Sequence, residues 1–170
     1  MPLNNYLFTN KGNTLLFIYI IRDPREVLIS YANHNNILID EQIKDFVPSN
    51  LMHSLGSEII INWALHYKSW KSFKSVPNIF LKYEDLIKYP KKNFQKLIIF
   101  LSKHIDIKLD KISLQKTVDI TKFNKLSELE NRIGFHEAFK DIKFFRSGKT
   151  DSWKKILNKQ QNKVERLDVE

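Results

Sequence analysis

The chain has 170 residues and no cysteine, and it carries a formal net charge of +9. This length suits a single domain with a hydrophobic core. The lack of cysteine excludes a disulfide scaffold, a zinc site with cysteine ligands and thiol catalysis. The positive charge indicates a preference for anions, either nucleic acid or a phosphorylated small molecule. No apolar stretch approaches membrane-spanning length and the N-terminal sequence lacks the apolar core of a signal peptide, so we expect a cytoplasmic protein.

Glycine is scarce, and its spacing restricts how a phosphate could be bound. The four glycines are far apart in the chain, at positions 12, 56, 134 and 148. Neither a GxxxxGK[ST] loop nor a GxGxxG turn can be formed from them. Any phosphate site must therefore be built from arginine, hydroxyl groups and helix N-termini.

A strand followed by a helix is predicted near the N-terminus. The apolar run Leu15–Ile21 is short and rich in Ile, Phe and Tyr, which is typical of a buried parallel strand. Asp23 and Pro24 form a helix start in which Asp23 accepts from the first free N–H groups. Glu26 is predicted to complete a capping box.

Arg22 therefore lies where the helix N–H groups and dipole favour an anion. Ser30 lies about two turns into the helix, so its hydroxyl could reach the same region. The alternative is that Arg22 makes a surface salt bridge and that Ser30 is a solvated helix residue.

Strands alternate with helices along the rest of the chain. The predicted elements are a loop with some helix over 34–50, a long helix over 54–73, a second buried strand over 79–83, helices over 90–103, 110–119 and 121–132, an irregular stretch over 132–153, and a basic helix over 159–167. This alternation predicts an α/β fold with a parallel sheet. Because two strands make a poor parallel sheet, the chain is expected to be the later portion of a larger unit.

Four separated segments point to a known family. They are YIIRDPREVLISYANH (19–34), FLKYEDLIKYP (80–90), DITKFNKLSELE (119–130) and FFRSGKTDSWKKIL (144–157). In this order they resemble the cytosolic-type sulfotransferases, and more closely their bacterial members. The resemblance implies one partial sulfotransferase domain over residues 1–170, with a P-loop-NTPase-like parallel sheet flanked by helices.

The resemblance also implies a ligand, the sulfuryl donor 3′-phosphoadenosine 5′-phosphosulfate (PAPS), and no metal. Two elements of the family hold the 3′-phosphate of PAPS, and a third group surrounds its adenine. The matching residues are Arg22 and Ser30 in the first element, Arg146, Ser147 and Gly148 in the second, and Tyr83, Thr121 and Phe123 around the adenine. Trp153 is expected to anchor its loop by packing instead of contacting the ligand.

Parts of the family pattern are absent. Ser147 stands where the family often has lysine, and Asp151-Ser152-Trp153 replaces Gly-Asp-Trp. No segment matches the family's Lys-Ser-Gly-Thr phosphosulfate loop, and no histidine matches its catalytic base. We therefore expect the C-terminal portion of the domain, without the first strand and the phosphosulfate loop, and assign no catalytic residue.

The expected function is the binding of the 3′-phosphate and adenine of PAPS for sulfuryl transfer to a hydroxyl or amine of a small-molecule acceptor. The sequence leaves open whether the chain is an enzyme alone and whether a separate N-terminal half or subunit completes it. A non-catalytic nucleotide- or anion-binding module is the alternative. A basic nucleic-acid binder is less favoured because no nucleic-acid-binding module is recognisable, and no membrane partner is expected.

Overall fold

The computed structural model describes residues 2–3, 6–7, 10–46, 53–55, 58–60, 63–108, 110–136 and 143–162. The chain divides into two compact units. The strand unit comprises Met1–Ile21 and Tyr67–Thr121, and the helical unit comprises Arg22–His66 and Lys122–Glu170. The expectation of a single domain over residues 1–170 stays a prediction.

In the strand unit, a parallel pair of strands carries the core. The elements that begin in this unit are β1 (Pro2–Leu3), β2 (Tyr6–Leu7), β3 (Phe17–Ile21), β6 (Asn78–Lys82), α4 (Tyr83–Lys88), α5 (Pro90–Leu101) and α6 (Lys111–Ile120). Strand β3 runs parallel to β6 in a register that sets Tyr19 opposite Phe80. Helices α4 and α5 pack against β6, and α6 packs against α5.

The two faces of β3 differ because successive side chains of a strand alternate between faces. Phe17 lies within an aromatic cluster, with its ring centroid 4.9 Å from that of Trp70. Tyr19 lies 5.1 Å from Phe80 in the same cluster, and burial raises the pKa of Tyr19 to about 12. By contrast, Ile18 and Ile20 are 40% and 56% exposed.

The prediction of a fully buried strand was therefore right for pairing and wrong for these two isoleucines. A parallel sheet is normally covered on both faces by neighbouring strands and helices. In the part of the chain that the structure describes, β3 pairs with β6 in a two-stranded sheet. A sheet of this size offers too few neighbours to cover both faces.

The helical unit is built around the first helix. Its elements are α1 (Pro24–Asn35), α2 (Ile39–Phe46), β4 (His53–Leu55), β5 (Glu58–Ile60), α7 (Phe123–Ile133) and α8 (Trp153–Ile156). The remaining helix, α3 (Trp63–Ser72), begins in the helical unit and ends in the strand unit. Leu28, Ile29 and Ala32 bury one face of α1, which packs against α2 and α8. Asn36 ends α1 in the left-handed conformation, with φ at 55°.

Most predicted elements are present, and one assignment was wrong in part. The long helix predicted over 54–73 begins only at Trp63, because His53–Leu55 and Glu58–Ile60 form an antiparallel hairpin. Amphipathic spacing of Ile59 and Trp63 suggested one helix, but strand pairing took the first part of the segment. The predicted basic helix over 159–167 lies mostly outside the described residues.

Candidate anion site at the start of the first helix

The start of α1 has the Asp23 cap and the first-turn proline that the sequence predicts. The Asp23 carboxylate accepts from the backbone N–H of Arg25 at 3.0 Å, and Pro24 occupies the first turn. Oδ2 of the same carboxylate forms an ion pair with Nη2 of Arg25 at 2.6 Å. Asp23 thus satisfies one of the helix's exposed N–H donors and fixes a neighbouring arginine.

Arg22 lies directly between β3 and this helix start. Its Nη2 donates to Glu26 Oε2 at 3.3 Å and to the backbone carbonyl of Lys149 at 3.5 Å. The Arg22 side chain is 25% exposed, whereas that of Glu26 is 2% exposed. The guanidinium is therefore hydrogen-bonded to the loop around Lys149, and the Arg22 side chain is partly exposed.

Glu26 does not form the predicted capping box. Its carboxylate accepts from the Ser152 hydroxyl at 2.8 Å on Oε1 and 2.7 Å on Oε2, and from the backbone N–H of Trp153 at 3.0 Å. A buried carboxylate requires several donors, and a capping box would supply only one. The Ser152 hydroxyl, the Trp153 backbone N–H and Arg22 supply the donors instead, so Glu26 links α1 to Ser152 and Trp153.

Trp153 packs as the sequence predicts. The Arg25 guanidinium carbon lies 3.3 Å from the centroid of the Trp153 ring. This stacked cation–π contact adds to the hydrogen bond from the Trp153 backbone to Glu26. The prediction that Trp153 anchors its loop is confirmed.

Helix α7 holds the N-terminal end of the loop over residues 143–152, which leads to Ser152 and Trp153. The Glu130 carboxylate accepts from the backbone N–H of Phe144 at 2.5 Å and from that of Phe145 at 2.9 Å. The Phe145 ring meets the Phe123 ring edge-on at 6.3 Å. The loop over 143–152 is thus fixed at its start by Glu130 and at its end by Glu26.

Gly148 and Phe123 are in direct contact. Gly148 has a positive φ of 59°, a conformation that residues with a β-carbon adopt only at a cost. A β-carbon added at this position would lie 2.5 Å from Cγ of the Phe123 ring. Both the backbone conformation and the available space therefore require glycine here, and they let the loop backbone lie against the ring.

Three other predicted phosphate ligands are exposed to solvent. Ser30 is an exposed residue of α1, four positions after Glu26 and therefore on the same face of the helix. Arg146 and Ser147 are exposed in the loop. The Ser147 hydroxyl accepts from the backbone N–H of Lys149 at a long 3.5 Å.

Tyr83 and Thr121 belong to the strand unit. Tyr83 is half-buried and is the first residue of α4, directly after β6. Thr121 follows α6, and its hydroxyl donates to the backbone carbonyl of Thr117 at 2.7 Å. Their predicted contacts with an adenine stay predictions.

The sequence reasoning missed two carboxylates that organise the site. Glu26 was assigned to the capping box, although its spacing of four from Arg22 also signals an ion pair on a helix. The sequence does not indicate that Glu130 belongs to the site, because a glutamate on an amphipathic helix is ordinarily solvated. Its partners, Phe144 and Phe145, donate through backbone groups, which side-chain patterns do not reveal.

Known proteins resemble this chain over most of its length. A model of the sulfotransferase domain family matches residues 4–167. The amine sulfotransferase of Oryctolagus cuniculus is 28% identical over 165 residues, which cover 93% of this chain and 54% of that protein. Sulfotransferase 1B1 of Canis lupus familiaris is 30% identical over an alignment of 170 positions, which covers 92% of this chain and 53% of that protein. The chain thus spans about half the length of the curated relatives it matches.

Solved structures share the fold. Retinol dehydratase in complex with androsterone and the inactive cofactor PAP aligns with a TM-score of 0.65 at 21% identity, over 86% of this chain and 43% of that chain. A mouse sulfotransferase complexed with PAP aligns with a TM-score of 0.63 at 20% identity, over 86% of this chain and 54% of that chain. These likenesses confirm the predicted α/β fold with a parallel sheet flanked by helices. Within the described residues, no helix is both long and apolar enough to cross a membrane.

Proposed function

Because this chain belongs to the sulfotransferase domain family, we propose that it binds the 3′-phosphate and adenine of PAPS. In this proposal it serves sulfuryl transfer from PAPS to a hydroxyl or amine of a small-molecule acceptor. Three of the similar solved structures are complexes with PAP, which one of them names as the inactive cofactor. A cytoplasmic location stays a prediction.

The observation that carries the proposal is the connection between Arg22 and the C-terminal loop. The family resemblance assigns the 3′-phosphate to the segment 22–30 and to the segment 146–148, which are far apart in sequence. Arg22 donates to the Lys149 carbonyl, and Glu26, in the first turn of α1, accepts from the Ser152 hydroxyl and from the backbone N–H of Trp153. The first proposed phosphate-binding segment is therefore hydrogen-bonded to Lys149, Ser152 and Trp153, which directly follow the second segment in the chain.

The chemistry of these residues suits a phosphate. Arginine presents a planar fork of donors that matches phosphate oxygens, and Arg22 lies at a helix N-terminus, where the dipole favours an anion. Glu26, the carboxylate that pairs with Arg22, is 2% exposed, whereas the Arg22 side chain is 25% exposed. Exposed Arg146 and Lys149 add positive charge in the loop.

We propose Phe123, Tyr83 and Thr121 as adenine contacts and Ser30, Ser147 and Gly148 as further phosphate contacts. This assignment rests on the family resemblance. For Phe123 and Gly148 the structure adds a support, because the loop backbone packs against the aromatic ring. A ring held in this way loses little further conformational entropy when a base packs on it.

The test compares two nucleotides that differ by one phosphate. Titration calorimetry with adenosine 3′,5′-bisphosphate and with adenosine 5′-monophosphate measures the preference for the 3′-phosphate. Wild-type protein should prefer the bisphosphate, and Arg22→Ala should reduce that preference about 10- to 100-fold, since a hydrogen bond to a charged group is worth about 1.5–3 kcal/mol.

Arg132→Ala is the matched control, because Arg132 is an exposed arginine in the last turn of α7. It should leave both affinities unchanged. Equal affinity of the wild-type protein for the two nucleotides would contradict the proposal. Salt-dependent binding of duplex DNA that is indifferent to Arg22→Ala would favour a nucleic-acid binder instead.

A non-catalytic nucleotide-binding module would use the same site. Sulfuryl transfer from PAPS, assayed with a phenol and with a primary amine as acceptors, separates this alternative from an enzyme. The sequence contains no match to the family's phosphosulfate loop or catalytic histidine. Nucleotide binding, and not turnover, is therefore the measurement on which the proposal depends.

A further inference from the structure

We infer that Glu26 is a positioning residue that fixes Arg22 and the C-terminal loop in the arrangement that grips a 3′-phosphate. This inference rests on the proposed function, because it assigns a role within the same site. Glu26 is not proposed to touch the ligand. Its effect on binding passes through Arg22 and through Ser152 and Trp153.

The carboxylate of Glu26 joins three donors from two distant segments. Oε1 accepts from the Ser152 hydroxyl and from the backbone N–H of Trp153. Oε2 accepts from the Ser152 hydroxyl and from Arg22 Nη2. Arg22 and the Trp153 backbone are thus bound to opposite oxygens of one planar group, and the Ser152 hydroxyl bridges both oxygens.

Burial makes this arrangement specific. Glu26 is one of two buried polar residues in the described part of the chain, with 2% of its surface exposed. A buried charge is stable only when several donors satisfy it. If one of its donors moves, the carboxylate loses compensation, so Arg22 and the loop are held to a narrow range of positions.

Arg22, unlike the buried Glu26, is partly exposed to solvent. Its side chain is 25% exposed, and an unrestrained arginine loses much rotamer freedom when it binds a phosphate. Because Glu26 and the Lys149 carbonyl already restrain the guanidinium, less of that freedom is lost on binding. A carboxylate also weakens the attraction of its arginine partner for an anion, so the two effects of Glu26 have opposite signs.

Glu26→Gln separates these effects, because it removes the charge and replaces one acceptor oxygen by an NH2 group of similar size. If positioning dominates, affinity for adenosine 3′,5′-bisphosphate should fall about 2- to 10-fold, while affinity for adenosine 5′-monophosphate stays unchanged. If loss of charge dominates, the bisphosphate binds more tightly, and the inference is overturned.

A double-mutant cycle tests whether the effect passes through Arg22. In an Arg22→Ala background, Glu26→Gln should cause no further loss of bisphosphate affinity. A purely structural role for Glu26 would instead reduce the affinities for both nucleotides and add to the effect of Arg22→Ala. Glu128→Gln is the matched control, because Glu128 is 72% exposed and forms an ion pair with Lys125 on the surface of α7.

Ser152→Ala is the second variant and keeps the inference testable if Glu26→Gln fails to fold. It retains the Glu26 charge and removes one bridging donor, so the preference for the 3′-phosphate should fall by less than with Glu26→Gln. A wild-type protein with no such preference refutes the proposed function itself. A wild-type preference that both variants retain in full refutes only the positioning role.

Discussion

The ring of Phe123 occupies the space in which a side chain at position 148 would begin. A β-carbon built on Gly148 would lie 2.5 Å from Cγ of that ring and 3.0 Å from Cε2. Gly148 also has a positive φ of 59°. The two residues, from α7 and from the loop over 143–152, therefore restrict each other.

Gly148→Ala should destabilise the protein by about 2–4 kcal/mol. About 1–2 kcal/mol comes from placing a β-carbon on a left-handed backbone, and the rest comes from the clash with Phe123. Urea unfolding followed by circular dichroism measures the change. Affinity for adenosine 3′,5′-bisphosphate should fall as well, because the loop that carries Arg146 must shift.

Gly134→Ala is the comparison variant at a second glycine with a positive φ. Gly134 has a φ of 76° and a ψ of 179°, and nothing lies within 4 Å of a β-carbon built there. Because that backbone region is essentially restricted to glycine, the variant should cost about 1–3 kcal/mol through the backbone alone. Wild-type stability of Gly148→Ala would show that neither its backbone conformation nor its contact with Phe123 restricts position 148.

The sequence predicted the parts of this site that depend on local rules. The Asp23 cap, the proline in the first turn and the position of Arg22 after a strand all follow from residues within one turn of each other. The parallel pairing of β3 with β6 follows from two apolar runs separated by helices. Here local preference and the fold agree.

The links between distant segments were not predictable in the same way. Glu26 could satisfy a local capping box or the donors of Ser152 and Trp153, and only burial decides between them. The contact of Phe123 with Gly148 likewise depends on a loop conformation that its sequence does not specify. Long-range partners are chosen by packing, whereas the motifs describe chain segments of a few residues.

Ser152→Ala should cost about 1.5–3 kcal/mol of stability, because the hydroxyl donates to both oxygens of the buried Glu26 carboxylate. Differential scanning fluorimetry and urea unfolding measure the loss. Ser72→Ala is the control, since the exposed Ser72 donates through its hydroxyl to the Ser69 backbone carbonyl of its own helix. It should be near neutral, as alanine is the better helix former. A Ser152→Ala protein as stable as the wild type would contradict the assigned hydrogen bonds.

Glu130→Gln should loosen the start of the loop over 143–152. In the wild-type protein each Glu130 oxygen accepts from one backbone N–H, that of Phe144 or that of Phe145. A glutamine has a single acceptor oxygen, so one of the two N–H groups loses its acceptor. Hydrogen exchange of these two amides should accelerate, because the amide that loses its acceptor can bond to water instead. Glu128→Gln, on the exposed side of α7, should leave their exchange unchanged. Unaltered exchange in Glu130→Gln would show that the loop is held by other contacts.

Asp110 should make the stability of α6 depend on pH in the acid range. Its carboxylate accepts from the backbone N–H of Ile112 at 3.2 Å and of Ser113 at 2.8 Å. Hydrogen bonding from the Ser113 side chain, then from these backbone groups, holds the pKa of Asp110 below its ordinary value of 3.8. Because the pKa is lower in the folded state, the stabilisation is complete above the unfolded pKa and is lost as the pH falls through the folded one.

Asp110→Asn tests this dependence, because asparagine caps a helix about as well as aspartate but does not titrate. Urea midpoints of the two proteins should be similar near neutral pH. Below about pH 4 the wild-type midpoint should fall more steeply than that of the variant. If Asp110→Asn keeps the wild-type slope, the acid sensitivity of the protein arises from other carboxyl groups.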